Sequence, residues 1–110
     1  IEALENGMPA VKNMVAEYDQ RRQTIVQGFR NMGLSCFEPK GAFYCFPRIS
    51  DLGMTSDEFC NRLLEAEKVA VVPGSAFGDS GEGFIRVSYA YSIDSINKAL
   101  VKIDRFIQSL

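Results

Sequence analysis

Residues 8–32, MPAVKNMVAEYDQRRQTIVQGFRNM, limit the fold more than any other stretch. Val11, Met14, Val15, Tyr18, Ile25, Phe29 and Met32 recur at three- and four-residue steps, the spacing of one helix face. Pro9 suits the first turn and Gly33 the position just past the end. The opposite face carries Glu17, Asp19, Arg21, Arg22 and Arg30 and reads as a solvated surface. The sequence before it, IEALENG, has no starting Met. It reads as the tail of one helix running into the next, so the chain is expected to be a piece of something longer.

Beyond this helix the pattern changes to the period of strands. Residues 34–37 (LSCF) and 42–47 (AFYCFP) flank the turn EPKG and are expected to form a hairpin. In MTSDEF, residues 54–59, Thr55 is an N-cap with Glu58 as the third helical residue, a capping box, and Met54 and Phe59 stand where a hydrophobic staple forms. That helix is expected to reach about Lys68 and to bury Phe59, Leu63 and Leu64. Residues 69–74 (VAVVPG) read as a short strand stopped by Pro-Gly, and residues 84–90 (FIRVSYA) as another. Ser92 caps a last helix with Ile96, Leu100, Ile103, Ile107 and Leu110 along one stripe. The order α-β-β-α-β-β-α predicts an α+β fold, a small, mostly antiparallel sheet with helices on one face. Residues 1–33 are read as a connecting helix and 34–110 as the small domain proper.

Composition removes several functions. The net charge is −2 over 110 residues, and the 12 basic residues are scattered, which opposes a nucleic-acid or anionic-membrane partner. No apolar run approaches a membrane span. Histidine is absent, and with it the commonest general base and metal ligand. Cys36, Cys45 and Cys60 are odd in number and fit neither a disulfide framework nor a zinc pattern, so no metal site is expected. They read as packing residues in a reduced, cytoplasmic protein.

Two features invite a functional reading. The loop GSAFGDSGEG carries Gly74, Gly78, Gly81 and Gly83, but it lacks the GK[ST] ending of a phosphate loop and leads into a strand. It reads as a flexible connection. The second feature is Arg86, alone in an otherwise apolar strand. Alternation puts Ile85, Val87 and Tyr89 on the core face and Phe84, Arg86 and Ser88 on the other. Arg86 is either a surface or ion-paired arginine, or an anion receptor whose planar fork matches a carboxylate.

The segments AEYDQRRQTIVQGFRNMGL, PKGAFYCFPRI and VAVVPGSAFGDSGEGFIRVSYA, taken together and in order, resemble the C-terminal part of class I/II aminotransferases. These are pyridoxal 5'-phosphate enzymes of fold type I. The resemblance implies a small domain that closes over the active site of a large domain. It implies that Arg86 binds the substrate α-carboxylate and that Phe43, Tyr44, Ser75, Ala76 and Phe77 lie near the site's mouth. It implies amino acid and 2-oxo acid substrates, contact with the protein's own large domain, and a homodimer. The Schiff-base lysine of the family stands in a motif that none of Lys12, Lys40, Lys68, Lys98 or Lys102 matches, so the isolated chain is expected to be inactive. Small domains of lyases, synthases and decarboxylases on the same fold share the carboxylate arginine and remain alternatives, as does a free-standing binding module.

Overall fold

The computed structural model describes all residues from 1 to 110. The order of elements is α1 (Glu2–Asn6), α2 (Met8–Asn31), β1 (Tyr44–Cys45), α3 (Ser56–Glu67), β2 (Val72–Pro73), β3 (Ile85–Ser88) and α4 (Ile93–Gln108). The three strands form one antiparallel sheet in the order β1-β3-β2. Tyr44 pairs with Ser88 and Cys45 with Val87 on one side of β3; Val72 pairs with Arg86 and Pro73 with Ile85 on the other. Pro73 is tolerated because β2 is an edge strand. The fold class is the one read from the sequence. The strands are shorter: residues 34–37 contribute only a bridge from Cys36 to Pro47, and β1 makes its ladder with β3 instead. Phe37 is 83% exposed, so nothing on a sheet face holds that segment extended.

Local chemistry sets the boundaries. α2 ends in a Schellman motif: Leu34 N donates to Phe29 O at 3.1 Å and Gly33 N to Arg30 O at 3.0 Å. Gly33 takes the required left-handed conformation at φ 87°. Thr55 caps α3, its Oγ1 accepting from Glu58 N at 3.2 Å. The Glu58 carboxylate pairs with Arg62 rather than closing the capping box. Ser92 caps α4 by accepting from Ser95 N.

The core lies between the sheet and the helices. α2 supplies Ile25, Val26 and Phe29, and α4 supplies Ile96, Leu100, Ile103 and Phe106. α3 supplies Phe59, Cys60 and Leu63, while Leu64, expected inside, is 46% exposed. It follows Leu63 by one residue, about 100° further round the helix, and so leaves the core face. The sheet contributes Cys45 and Ile85, with Tyr89 just past β3. All three cysteines are free and buried. Burial, then the Asp57 carboxylate, pushes the Cys60 thiol up to about 11. No helix is long and apolar enough to cross a membrane.

The charged face of α2 does more than meet solvent. Arg22 pairs with both Asp19 and Glu38, and Arg30 donates twice to the Cys36 carbonyl, at 2.9 and 3.2 Å. These bonds tie the segment after the helix back onto it. The other half of the expected apolar stripe is uncovered: Val11, Met14 and Val15 are exposed, and Val15 keeps 61% of its surface.

Candidate functional site

Arg86 stands on the central strand, so its backbone is held between two neighbours. The alternation read from the sequence is observed. Ile85 and Tyr89 are buried and Val87 packs on the core, while Phe84, Arg86 and Ser88 are half-buried on the other face. The guanidinium carbon lies 4.3 Å from the centroid of the Tyr44 ring and 4.4 Å from that of Phe77. Tyr44 comes from the strand on one side of β3, and Phe77 from the turn after the strand on the other. Two cation–π contacts therefore flank one charge and leave its N–H edge as the route for a partner.

That charge is not answered within the chain. The sequence has seven arginines. Arg21, Arg22, Arg48, Arg62 and Arg105 are in ion pairs, and Arg30 is spent on the Cys36 carbonyl. Arg86 has neither an ion pair nor a side-chain hydrogen bond. No buried side-chain nitrogen or oxygen lacks a partner, so the guanidinium keeps its donors open to the surface. A mostly apolar cleft of ≈ 470 Å³ is lined by residues that include Arg86, Tyr44, Ser88, Val71, Val72 and Leu100. A planar cation with open donors can take a carboxylate through two parallel hydrogen bonds.

The other residues singled out by the sequence are divided. Phe43 stacks on Tyr18 at 5.9 Å and lines a separate cleft of ≈ 550 Å³ with Asp19, Arg22, Lys40 and Tyr89. It reaches the Arg86 site only through Tyr44, 4.7 Å away between ring centroids. The segment carrying both is anchored by Tyr89, whose hydroxyl donates to Ala42 O at 3.1 Å and whose amide donates to Phe43 O at 2.8 Å. Ser75 turns toward α3 and donates to Asp57 Oδ2 at 3.0 Å. Ala76 is exposed on the same turn.

The glycine-rich loop is not a loose connection. It forms two short 3-10 turns, Gly74–Phe77 and Asp79–Gly81. Gly74 and Gly81 stand back to back: a Cβ on Gly74 would lie 1.9 Å from Gly81 O, and one on Gly81 2.1 Å from Gly74 O. Only glycine permits that approach. Glu82 accepts from the amide and the hydroxyl of Ser56, both at 2.8 Å. The Ser56 amide, then its hydroxyl, holds the Glu82 carboxyl below its ordinary range. Sequence reading missed this network and the Phe46–Phe77 edge contact at 6.3 Å. The glycine spacing was the available signal, since paired glycines across a loop mark close backbone approach.

Lys12, Lys40, Lys68 and Lys98 are exposed, and half-buried Lys102 donates to the Glu67 carbonyl. No three His, Cys, Asp or Glu side chains come together as a metal-ligand set.

A profile for aminotransferase class I and II matches residues 2–103, and the chain belongs to that family. Its members are generally dependent on pyridoxal phosphate. A Bacillus subtilis protein provisionally named as an aminotransferase, YugH, is 52% identical over 107 residues, 97% of this chain and 28% of that protein. An aspartate aminotransferase of Pyrococcus abyssi is 46% identical over 104 residues, 94% of this chain and 27% of that protein. The crystal structure of an aromatic aminotransferase from Pyrococcus horikoshii superposes with a TM-score of 0.93 at 45% identity, covering 96% of this chain and 28% of that one. The chain thus spans little more than a quarter of the length of the relatives it matches.

Proposed function

We propose that this chain serves as the small domain of a pyridoxal-phosphate-dependent aminotransferase, and that Arg86 receives the substrate's α-carboxylate. The observation that carries the reading is the unanswered guanidinium on β3, flanked by Tyr44 and Phe77. The other six arginines are answered within the chain, five by carboxylates and Arg30 by the Cys36 carbonyl. The lysines of this chain do not fit the cofactor, so its anchoring is assigned to a large domain in a longer, cytoplasmic, homodimeric enzyme. In that assembly residues 1–33 connect the two domains and 34–110 close over the site, with Phe43, Tyr44, Ser75, Ala76 and Phe77 toward its mouth. The isolated chain is then inactive.

Arg86 moves no proton in this reading. It fixes an amino acid or 2-oxo acid by the carboxylate so that the reacting carbon is held in one orientation. A strand with a ladder on both sides holds that receptor more rigidly than a loop would.

The test uses the full-length protein with pyridoxal phosphate and a panel of amino acids, following 2-oxo acid formation. Wild type is expected to transaminate. Arg86→Ala is expected to keep the cofactor's absorbance and lose roughly 2–5 kcal/mol of substrate binding. Arg86→Lys recovers only part of it, because an ammonium lacks the fork. Kinetics unchanged in both variants would make Arg86 a structural residue and end the proposal.

A further inference from the structure

The turn that carries Phe77 is fastened at both ends to the first turn of α3. On one side Ser75 Oγ donates to Asp57 Oδ2 at 3.0 Å. On the other the Ser56 amide and hydroxyl both donate to Glu82, at 2.8 Å each. The Ser56 and Ser75 hydroxyl oxygens lie 3.3 Å apart. Each has its one proton committed to a carboxylate, so that approach is packing enforced by the two clamps. Ser56 is fully buried. The neck of the loop is closed by Gly74 N donating to Phe84 O at 2.8 Å, beside the Gly74–Gly81 contact. Between the clamps, Phe77 is half-exposed, and its ring meets Phe46 and the Arg86 guanidinium. Nothing in its own burial keeps the ring there.

We infer that Glu82 and Ser56 are positioning residues, which hold Phe77 against Arg86 and so keep the guanidinium in its receiving orientation. The inference rests on the carboxylate reading of Arg86. Its physical basis is side-chain entropy. An arginine without a polar partner is free to sweep several rotamers, and a ligand must then order it on binding. Two fixed rings remove that freedom beforehand. The Tyr44 ring is fixed by its strand; the turn that carries Phe77 is tied to the helical scaffold through α3. The carboxylate of Glu82 at the helix N-terminus also answers the otherwise unpaired Ser56 amide there, which makes α3 a rigid base for the clamp.

The experiment measures KM, kcat and cofactor absorbance in the full-length protein for Glu82→Ala, Ser56→Ala, Phe77→Ala and the Glu82→Ala/Phe77→Ala double variant. Glu82→Ala is expected to raise the amino-acid KM roughly 3- to 10-fold, the cost of ordering one freed arginine. The value of kcat and the absorbance are expected to stay as in wild type. The double variant is expected to be no worse than Phe77→Ala, because both changes act through one contact. Ser56→Ala keeps the helix amide free to reach Glu82, gives a smaller rise, and reads the network even where Glu82→Ala fails to fold. A wild-type KM in the folded members of this pair, or losses that add independently to that of Phe77→Ala, overturns the inference. Arg86→Ala separates the two readings. If it leaves KM unchanged, the carboxylate reading falls and the positioning role with it. If it raises KM while Glu82→Ala and Ser56→Ala do not, only the positioning role falls.

Discussion

Arg86 differs from the other arginines in what surrounds it, not in its chemistry. Each of the others is answered by an acidic side chain or a carbonyl within the chain, and those answers leave acidic partners whose ionisation the fold depends on. Arg22 holds Glu38, Arg105 holds Glu67, and the Ser56 amide holds Glu82 below the ordinary carboxylate value of 4.5. A carboxylate whose folded pKa is depressed contributes stability that is present above its unfolded value and lost as pH falls through the folded one. With no histidine in the chain, the imidazole that ordinarily titrates between about pH 5 and about pH 8 is missing. The melting temperature is therefore expected to be flat from neutral pH to about pH 5 and to fall from there toward about pH 3. Glu38 and Glu82 are exposed, so added salt should reduce their share of the fall. Thermal melts across that range check it, and a midpoint that holds or rises on acidification contradicts it.

At the scale of elements, the contact between α2 and α4 turns on a missing side chain. A Cβ on Gly28 would lie 2.5 Å from Leu100 Cδ1, 2.8 Å from Cδ2 and 3.2 Å from Cγ. Leu100 belongs to the core, and both of its methyl groups would have to move. Gly28→Ala gains about 1 kcal/mol of helix propensity and incurs about 1–3 kcal/mol of overpacking. The net is a loss of about 1 kcal/mol in urea unfolding, and a gain in stability would show that the helices can separate without cost. The elements themselves were legible where a local rule acts alone. The Thr55 and Ser92 caps, the glycine stop after α2, the helical stripes and the alternation through Arg86 all depend on neighbours in sequence. Phe106, buried on α4, extends the core face three residues past Ile103 and was missed by the stripe as read. Strand pairing was not legible, because β1 is matched to β3 across some forty residues by the shape of the core, and no local pattern fixes that choice. The candidate site divides in the same way. Arg86 was visible as a charge out of place in an apolar strand. Its flanking by Tyr44 and Phe77, and the clamp from Ser56 and Asp57 to the glycine loop, depend on tertiary approach.

The whole molecule is extended for its size. The radius of gyration is 15.4 Å, with extents of 50 × 30 × 22 Å, against about 13 Å for a compact chain of this length. The excess comes from α1 and the first half of α2, whose burial begins only at Ile25. Leu4, Met8, Val11, Met14 and Val15 are exposed along it, and Leu4 keeps 91% of its surface. A stripe of that kind is where soluble chains associate. Expressed alone, the chain is expected to show a concentration-dependent mass by light scattering. Val11→Gln combined with Val15→Gln is expected to return it to a monomer with little loss of stability, since neither residue belongs to the core. A monomer at every concentration would mean that the exposed stripe, long as it is, does not drive association. An oligomer unaffected by the double change would place the contact elsewhere, with the face around Phe37 and Phe46 the next to test.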